Sequence, residues 1–123
     1  MKETIDYIVE RVVEGIYKDM PELLERFGER GRTKCREDNY HHIKHLDSAR
    51  KLEADDFFID YALWLNNLLT SRGMQTKHVI DNFERLEKEI KRANNFGNKE
   101  DYLRILSKGK AELEELTVDS PSL

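Results

Sequence analysis

The chain has 123 residues and a formal net charge of −4, with 37% charged and 38% hydrophobic residues. That length fits one domain, and the acidic balance argues against a nucleic-acid binder driven by overall charge. A single cysteine allows no intrachain disulfide and fits a reducing, cytoplasmic setting.

Only Pro21 and Pro121 interrupt the chain, which favours helices. Glu3, Asp6, Glu10 and Glu14 break any apolar stretch of the signal-peptide kind at the N-terminus. The longest apolar-rich run, Phe57 to Leu69, contains Asp60, Asn66 and Asn67 and is shorter than the ~20 residues a membrane span needs. No membrane partner is expected.

From Lys2 to Lys18, Ile5, Val9, Val12 and Ile16 recur at three- and four-residue spacing, which predicts an amphipathic helix. Gly15 inside it costs ~1 kcal/mol against alanine and suggests a close helix contact. Asp19-Met20-Pro21-Glu22 reads as a restart, with proline in the first turn and acids at the positive end. A short helix through Leu23, Leu24 and Phe27 is expected to stop near Gly28.

Between Arg26 and Arg36 lie five basic residues, one acid and two glycines, so a basic bend or loop is expected. A helix from about Thr33 to Leu52 follows. Its inner face is Cys35, Asn39, His42, Leu46 and Ala49, with Ile43 beside it, and His41, His45 and Ser48 flank that face. Asp55 and Asp56 open the next helix. It carries apolar residues from Phe57 to Leu69 around most of its circumference, the pattern of a central helix wrapped by the others. Ser71-Arg72-Gly73 ends it.

Thr76 is the expected N-cap of the next helix, whose stripe is Val79, Phe83, Leu86, Ile90 and Ala93. Glu84 with Lys88 and Glu87 with Lys91 are i,i+4 pairs worth ~0.2–0.5 kcal/mol each. Gly97 is its expected end, and Asn98 to Asp101 cap the last helix. There Tyr102, Leu106, Gly109, Leu113 and Leu116 repeat the stripe. The expectation is all-α: a compact bundle of five to six helices around a central apolar helix, one domain over 1–116 with a flexible tail over 117–123.

Two places concentrate chemistry. In Asn39-Tyr40-His41-His42-Ile43-Lys44-His45, His41 and His45 sit one turn apart with Glu37 and Asp38 a turn earlier, a spacing that can grip a divalent metal. His78 is a candidate fourth ligand. The plainer reading is a polar face for His41 and His45 and a hydrogen-bonded core histidine for His42. The di-iron Glu-x-x-His and zinc-protease signatures do not occur in the sequence. The second place is the basic bend, where Arg32 and Arg36 are candidate anion ligands against the plainer reading of a solvated charged surface.

Cys35 on the inner face reads as structural, since a reactive thiol needs a thiolate-stabilising setting. Phe57, Phe58, Tyr61 and Trp64 are core at helical spacing or the lining of a pocket. Of Asn66 and Asn67, one is expected to face a polar pocket or the surface, and the other to bond a neighbouring backbone group.

Three blocks carry a family resemblance. The first is Pro21-Glu22-Leu23-Leu24-Glu25-Arg26-Phe27-Gly28-Glu29-Arg30-Gly31 followed by Lys34-Cys35-Arg36-Glu37-Asp38-Asn39. The second is His42-Ile43-x-x-Leu46-x-x-Ala49. The third is Phe58-Ile59-Asp60-Tyr61-Ala62-x-Trp64-Leu65-x-x-Leu68-Leu69-x-Ser71-Arg72-Gly73-Met74. Together they resemble a family of small bacterial all-helical domains of uncharacterised function, found alone or joined to regulatory modules such as cobalamin-binding domains. The resemblance runs over Pro21 to Leu86, about half the chain. It implies a stand-alone sensor or interaction domain, and no catalytic residues carry over from it. The length leaves no room for a separate cobalamin-binding domain.

The sequence therefore points to a non-enzymatic regulatory or protein-interaction domain that self-associates, with no cofactor. Ile8, Val13, Tyr17 and Met20 read as more apolar surface than one short helix needs to bury, and a homodimer would cover them. The alternative is a small-ligand or metal sensor. Its ligand residues are Asn39, His42, Tyr61, Trp64, Arg32 and Arg36, and its metal residues are His41 and His45. An enzyme would need a pocket shared by Asn39, His42 and Cys35 or Tyr61.

Overall fold

Apolar residues at helical spacing commit most of the chain to helix, and four short connections fold those helices back on one another. The computed structural model describes residues 2–117. It contains α1 (Lys2–Asp19), α2 (Glu22–Lys51), α3 (Asp55–Ser71), α4 (Thr76–Arg92) and α5 (Lys99–Thr117). No strand occurs among the described residues. The all-α single domain expected from the sequence is what is observed. Thr117 ends α5, and the rest of the expected tail lies outside the described residues.

The expected short helix, bend and new helix at residues 21–52 are corrected. They form one helix, α2, broken at one residue: Gly28, with φ 69° and ψ −170°. That conformation is essentially reserved to glycine. Gly31, which also suggested a loop, stays helical, and a side chain there would press on Phe27. Of the expected inner face of α2, Asn39, His42, Ile43, Leu46 and Ala49 are buried, and Cys35 is partly buried against the core.

α2 and α3 end in the same way. Ala54 N–H reaches back to Ala49 O and Met74 N–H to Leu69 O, each at 3.0 Å, which closes the last turn of each helix. The left-handed residue in the second is Gly73, as expected, but in the first it is Glu53. α4 starts one residue earlier than expected. Gln75, not Thr76, is its N-cap, and its N–H donates to His78 Nδ1. α4 stops at Arg92, short of Gly97.

The core draws on all five helices. Phe58, Leu46, Phe83, Leu86, Ile105 and Leu106 are fully buried, each worth ~1.5–3 kcal/mol on transfer from water. Gly109 lets α5 approach α3: a Cβ there would lie 2.6 Å from Phe58 Cε2. Phe58 has no exposed surface into which to retreat.

Three further expectations are corrected. First, α3 is not wrapped by the others. It lies against α5 and α2 with a shorter contact to α4 and none to α1, and Phe57 and Trp64 stay 41% and 58% exposed. Its apolar belt lines a groove instead. Second, the surplus on α1 is used inside the chain. Ile8 and Val13 are buried between α2 and α4, and Tyr17 and Met20 pack partly on the core, so the reason for a homodimer through α1 is gone. Third, Glu87 and Glu84 pair with Lys110 of α5 rather than along α4. The Glu84 link is exposed on its acidic side and worth ~0–1 kcal/mol, whereas the Glu87–Lys110 pair is partly buried. Gly15 does mark a close approach, to the Arg85 guanidinium of α4.

Candidate functional site

His42 is 2% exposed, and its Nδ1 lies 2.7 Å from the Tyr61 hydroxyl of α3. Its ring meets Phe83 of α4 edge-on. Burial, with His41 and His45 adding to it, pushes the imidazole down to about 3, so it is neutral at ordinary pH. One turn away, Asn39 and Asn82 exchange two amide hydrogen bonds of 3.1 and 2.7 Å across the α2–α4 seam. Asn39 Nδ2 also donates to the Cys35 carbonyl at 2.9 Å. These bonds satisfy the two buried amides in an otherwise apolar layer.

Beside this layer lies a cavity of about 170 Å³. Its apolar walls include Ile16, Met20, Leu65, Leu69 and Val79, and its polar side includes Tyr17, Cys35, His42 and Asn82. The kinked start of α2 supplies Leu23 and Phe27 to the lining. Burial, with Asp38 adding to it, pushes the Cys35 thiol up to about 12. Burial, with Cys35 adding to it, likewise raises Tyr17 to about 12. Asp38 is also raised by burial, against the pull of Lys34 and His41.

A second, open depression of about 680 Å³ runs between α2 and α3. The His45 ring stacks on Tyr61 at 3.8 Å between centroids and on Phe57 at 5.8 Å, and Trp64 tilts against Tyr61. Lys34, Asp38, Leu65, Leu69 and Arg72 line both spaces. Tyr61 lines the groove, with its hydroxyl toward His42 and one ring face toward His45.

Of the ligand residues expected from sequence, His42 and Tyr61 are in contact and Asn39 bonds Asn82 one turn away, but only His42 lines the cavity, while Tyr61 and Trp64 line the groove. Arg32 and Arg36 do not join them. Arg32 lies over the Tyr17 ring at 5.5 Å, and Arg36 pairs with Glu10 of α1. Lys34 pairs with Glu37.

His41 and His45 share a helix face, but His45 Nδ1 is taken by the His41 carbonyl at 2.8 Å. His78 is on α4, with its Nδ1 held by Gln75. Among the described residues no group of three or more His, Cys, Asp or Glu side chains is placed to hold a metal ion. Asn67 is exposed, whereas Asn66 is buried with its side-chain oxygen unpartnered among the described residues. The expected bond from one of them to a neighbouring backbone group is not what forms: the Asn66 main-chain carbonyl accepts the Thr70 hydroxyl instead.

Sequence reasoning missed Asn82 and the tyrosine at the cavity, Tyr17. The available signal for Asn82 was a polar residue one turn after Val79, beside a clean apolar stripe. No family model, curated protein or solved structure matches the chain. The resemblance drawn from the three sequence blocks stands on those residues alone.

Proposed function

We propose that this chain is a helical regulatory domain that binds a small, largely apolar molecule in the cavity beside His42. The cavity itself carries the reading. It keeps about 170 Å³, open to the surface, between α1, α2, α3 and α4, with a mostly apolar lining. Apolar walls with a few convergent polar groups are the ordinary form of a ligand site.

The chemistry favours binding over catalysis. The Cys35 thiol is held protonated and His42 is held neutral and weakly basic. Both shifts run opposite to those that activate a nucleophile and its base. A single, half-buried cysteine fits a reducing, cytoplasmic setting. No helix among the described residues is long and apolar enough to cross a membrane.

Thermal unfolding with benzene as probe tests the reading. At ten times its Kd, benzene is expected to raise the midpoint by about 5 °C. Met74→Trp, which fills the cavity, is expected to abolish that rise. A midpoint that ignores benzene overturns the reading.

The exposed Trp64 favours a second reading, self-association through α3. Phe57 and Trp64 point outward, with Asp56 and Asp60 toward one end of the face and Arg72 at the other. A two-fold axis across α3 sets the basic end of one copy against the acidic end of its partner. Sedimentation would show a dimer that Trp64→Ser dissociates. A strict monomer across micromolar concentrations removes this reading.

A further inference from the structure

The cavity ends on an imidazole whose protons can be assigned from its neighbours. The Tyr61 hydroxyl has one partner among the described residues, His42 Nδ1. The hydroxyl gives its proton to that nitrogen, because the reverse arrangement leaves two groups unpaired, the O–H and the Nε2 lone pair, where this one leaves only an N–H. Nδ1 is then the acceptor, and the ring's single proton sits on Nε2. Nε2 makes no hydrogen bond among the described residues and is not one of their fully buried unpartnered atoms, so it keeps some accessible surface, and His42 lines the cavity. α2 therefore offers one accessible N–H donor beside apolar walls. An acceptor oxygen brought from outside would give that donor a fixed partner.

We infer that the cavity binds an uncharged, largely apolar compound of about phenol's size, whose single acceptor oxygen takes the hydrogen bond from His42 Nε2–H. This rests on the ligand-binding reading above and narrows it to a chemical class. Size sets the first limit: a dry cavity of ~150 Å³ holds benzene, and this one is about 170 Å³. Charge sets the second. Lys34 and Arg72 line the cavity against Asp38 and Asp81, so its charged groups favour neither sign. His78 and the neutral groups Tyr17, Cys35, Asn82 and His42 complete its polar lining. An ion placed among them would lose its hydration without gaining a counter-charge.

The experiment is an NMR titration of the full chain with phenol, benzene and benzoate in parallel, read at the Met20 and Met74 methyls and at the His42 ring nitrogens. Phenol is expected to bind at least ~10-fold more tightly than benzene and to move the Nε2–H resonance. In His42→Phe the two probes are expected to bind alike. His42→Phe strands the Tyr61 hydroxyl, so His42→Phe with Tyr61→Phe serves as the matched second variant if the single one fails to fold.

Equal binding of phenol and benzene to the wild type would overturn the inference and leave the cavity reading intact. Tighter binding of benzoate would also overturn it and give the class to Lys34 and Arg72. If no probe binds, the cavity reading falls too. The free protein supplies an independent check, since a His42 ring protonated on Nδ1 rather than Nε2 overturns the inference without any ligand.

Discussion

His42 and His45 are three residues apart on one helix, and both touch Tyr61, yet they occupy different chemical worlds. His42 meets the hydroxyl end inside the fold, loses its water and becomes a neutral hydrogen-bonding part of the core. His45 lies flat on the ring at the surface of the α2–α3 groove, with one nitrogen tied to its own helix backbone. Residue type and spacing are the same for both. What differs is which side of one tyrosine each faces, and that decides whether the imidazole holds the fold or decorates it.

The difference can be broken most sharply at His42. His42→Ala removes a buried ring and orphans the Tyr61 hydroxyl, for an expected loss of about 3–4 kcal/mol in urea unfolding. A loss under about 1 kcal/mol would mean that the inner side is no more structural than the outer. Next comes the amide pair on the same inner layer. Asn39→Leu leaves Asn82 without its partner and is expected to cost about 2–3 kcal/mol. Adding Asn82→Leu is expected to recover most of that, since replacing both partners removes the orphan. Simple additivity of the two costs would contradict the pairing.

Acid sharpens the same contrast. The His42 pKa is depressed in the fold, to about 3 from an ordinary 6.5. The unfolded chain therefore takes up the proton first. The stability is fully present above pH 6.5 and is lost as pH falls toward 3, at up to about 1.4 kcal/mol per pH unit. His78, lowered mainly by burial, adds in the same direction.

Asp47 enters at lower pH. Burial alone would raise it, but hydrogen bonds from Tyr102, Lys51 and Arg50 draw it down to about 2 from 3.8. Its contribution is present above pH 3.8 and lost below. Urea midpoints between pH 6.5 and 4.5 thus read the histidines against the opposite pull of Asp38, which burial raises, and His42→Phe is expected to flatten the histidine part of that slope. The smallest effects belong outside. His45→Ala is expected to cost about 0.5–1 kcal/mol through the lost stacking, and Trp64→Ser within about 0.5 kcal/mol of monomer stability.

The same two sides explain what the sequence made readable. The stripes Val79-Phe83-Leu86-Ile90 and Tyr102-Leu106-Gly109-Leu113 mark α4 and α5 directly, because each faces one core. Asn39 and His42 were legible as inner residues for the same reason. α3 misled, because an apolar circumference was taken for a central position when part of it lines an open groove. Two glycines among five basic residues resembled a loop, yet only one of them leaves the helix. The Asn39–Asn82 pair spans 43 positions, and no local pattern reports a bond of that range. Arg36 illustrates the same limit. Its partner, Glu10, lies on another helix, so a charge that stands in a basic run in one dimension is paired in three.

The kink at Gly28 has a consequence in handedness. Reflecting its angles, φ 69° and ψ −170°, through a mirror gives an ordinary extended conformation for an L-residue. The backbone at this position is therefore shaped for an amino acid of the opposite chirality. Chemical ligation can place D-alanine there, and it would meet a relaxed conformation where L-alanine meets a forbidden one. One achiral residue lets a chain of L-amino acids borrow a single right-to-left inversion, and with it bend Leu23 and Phe27 over the cavity.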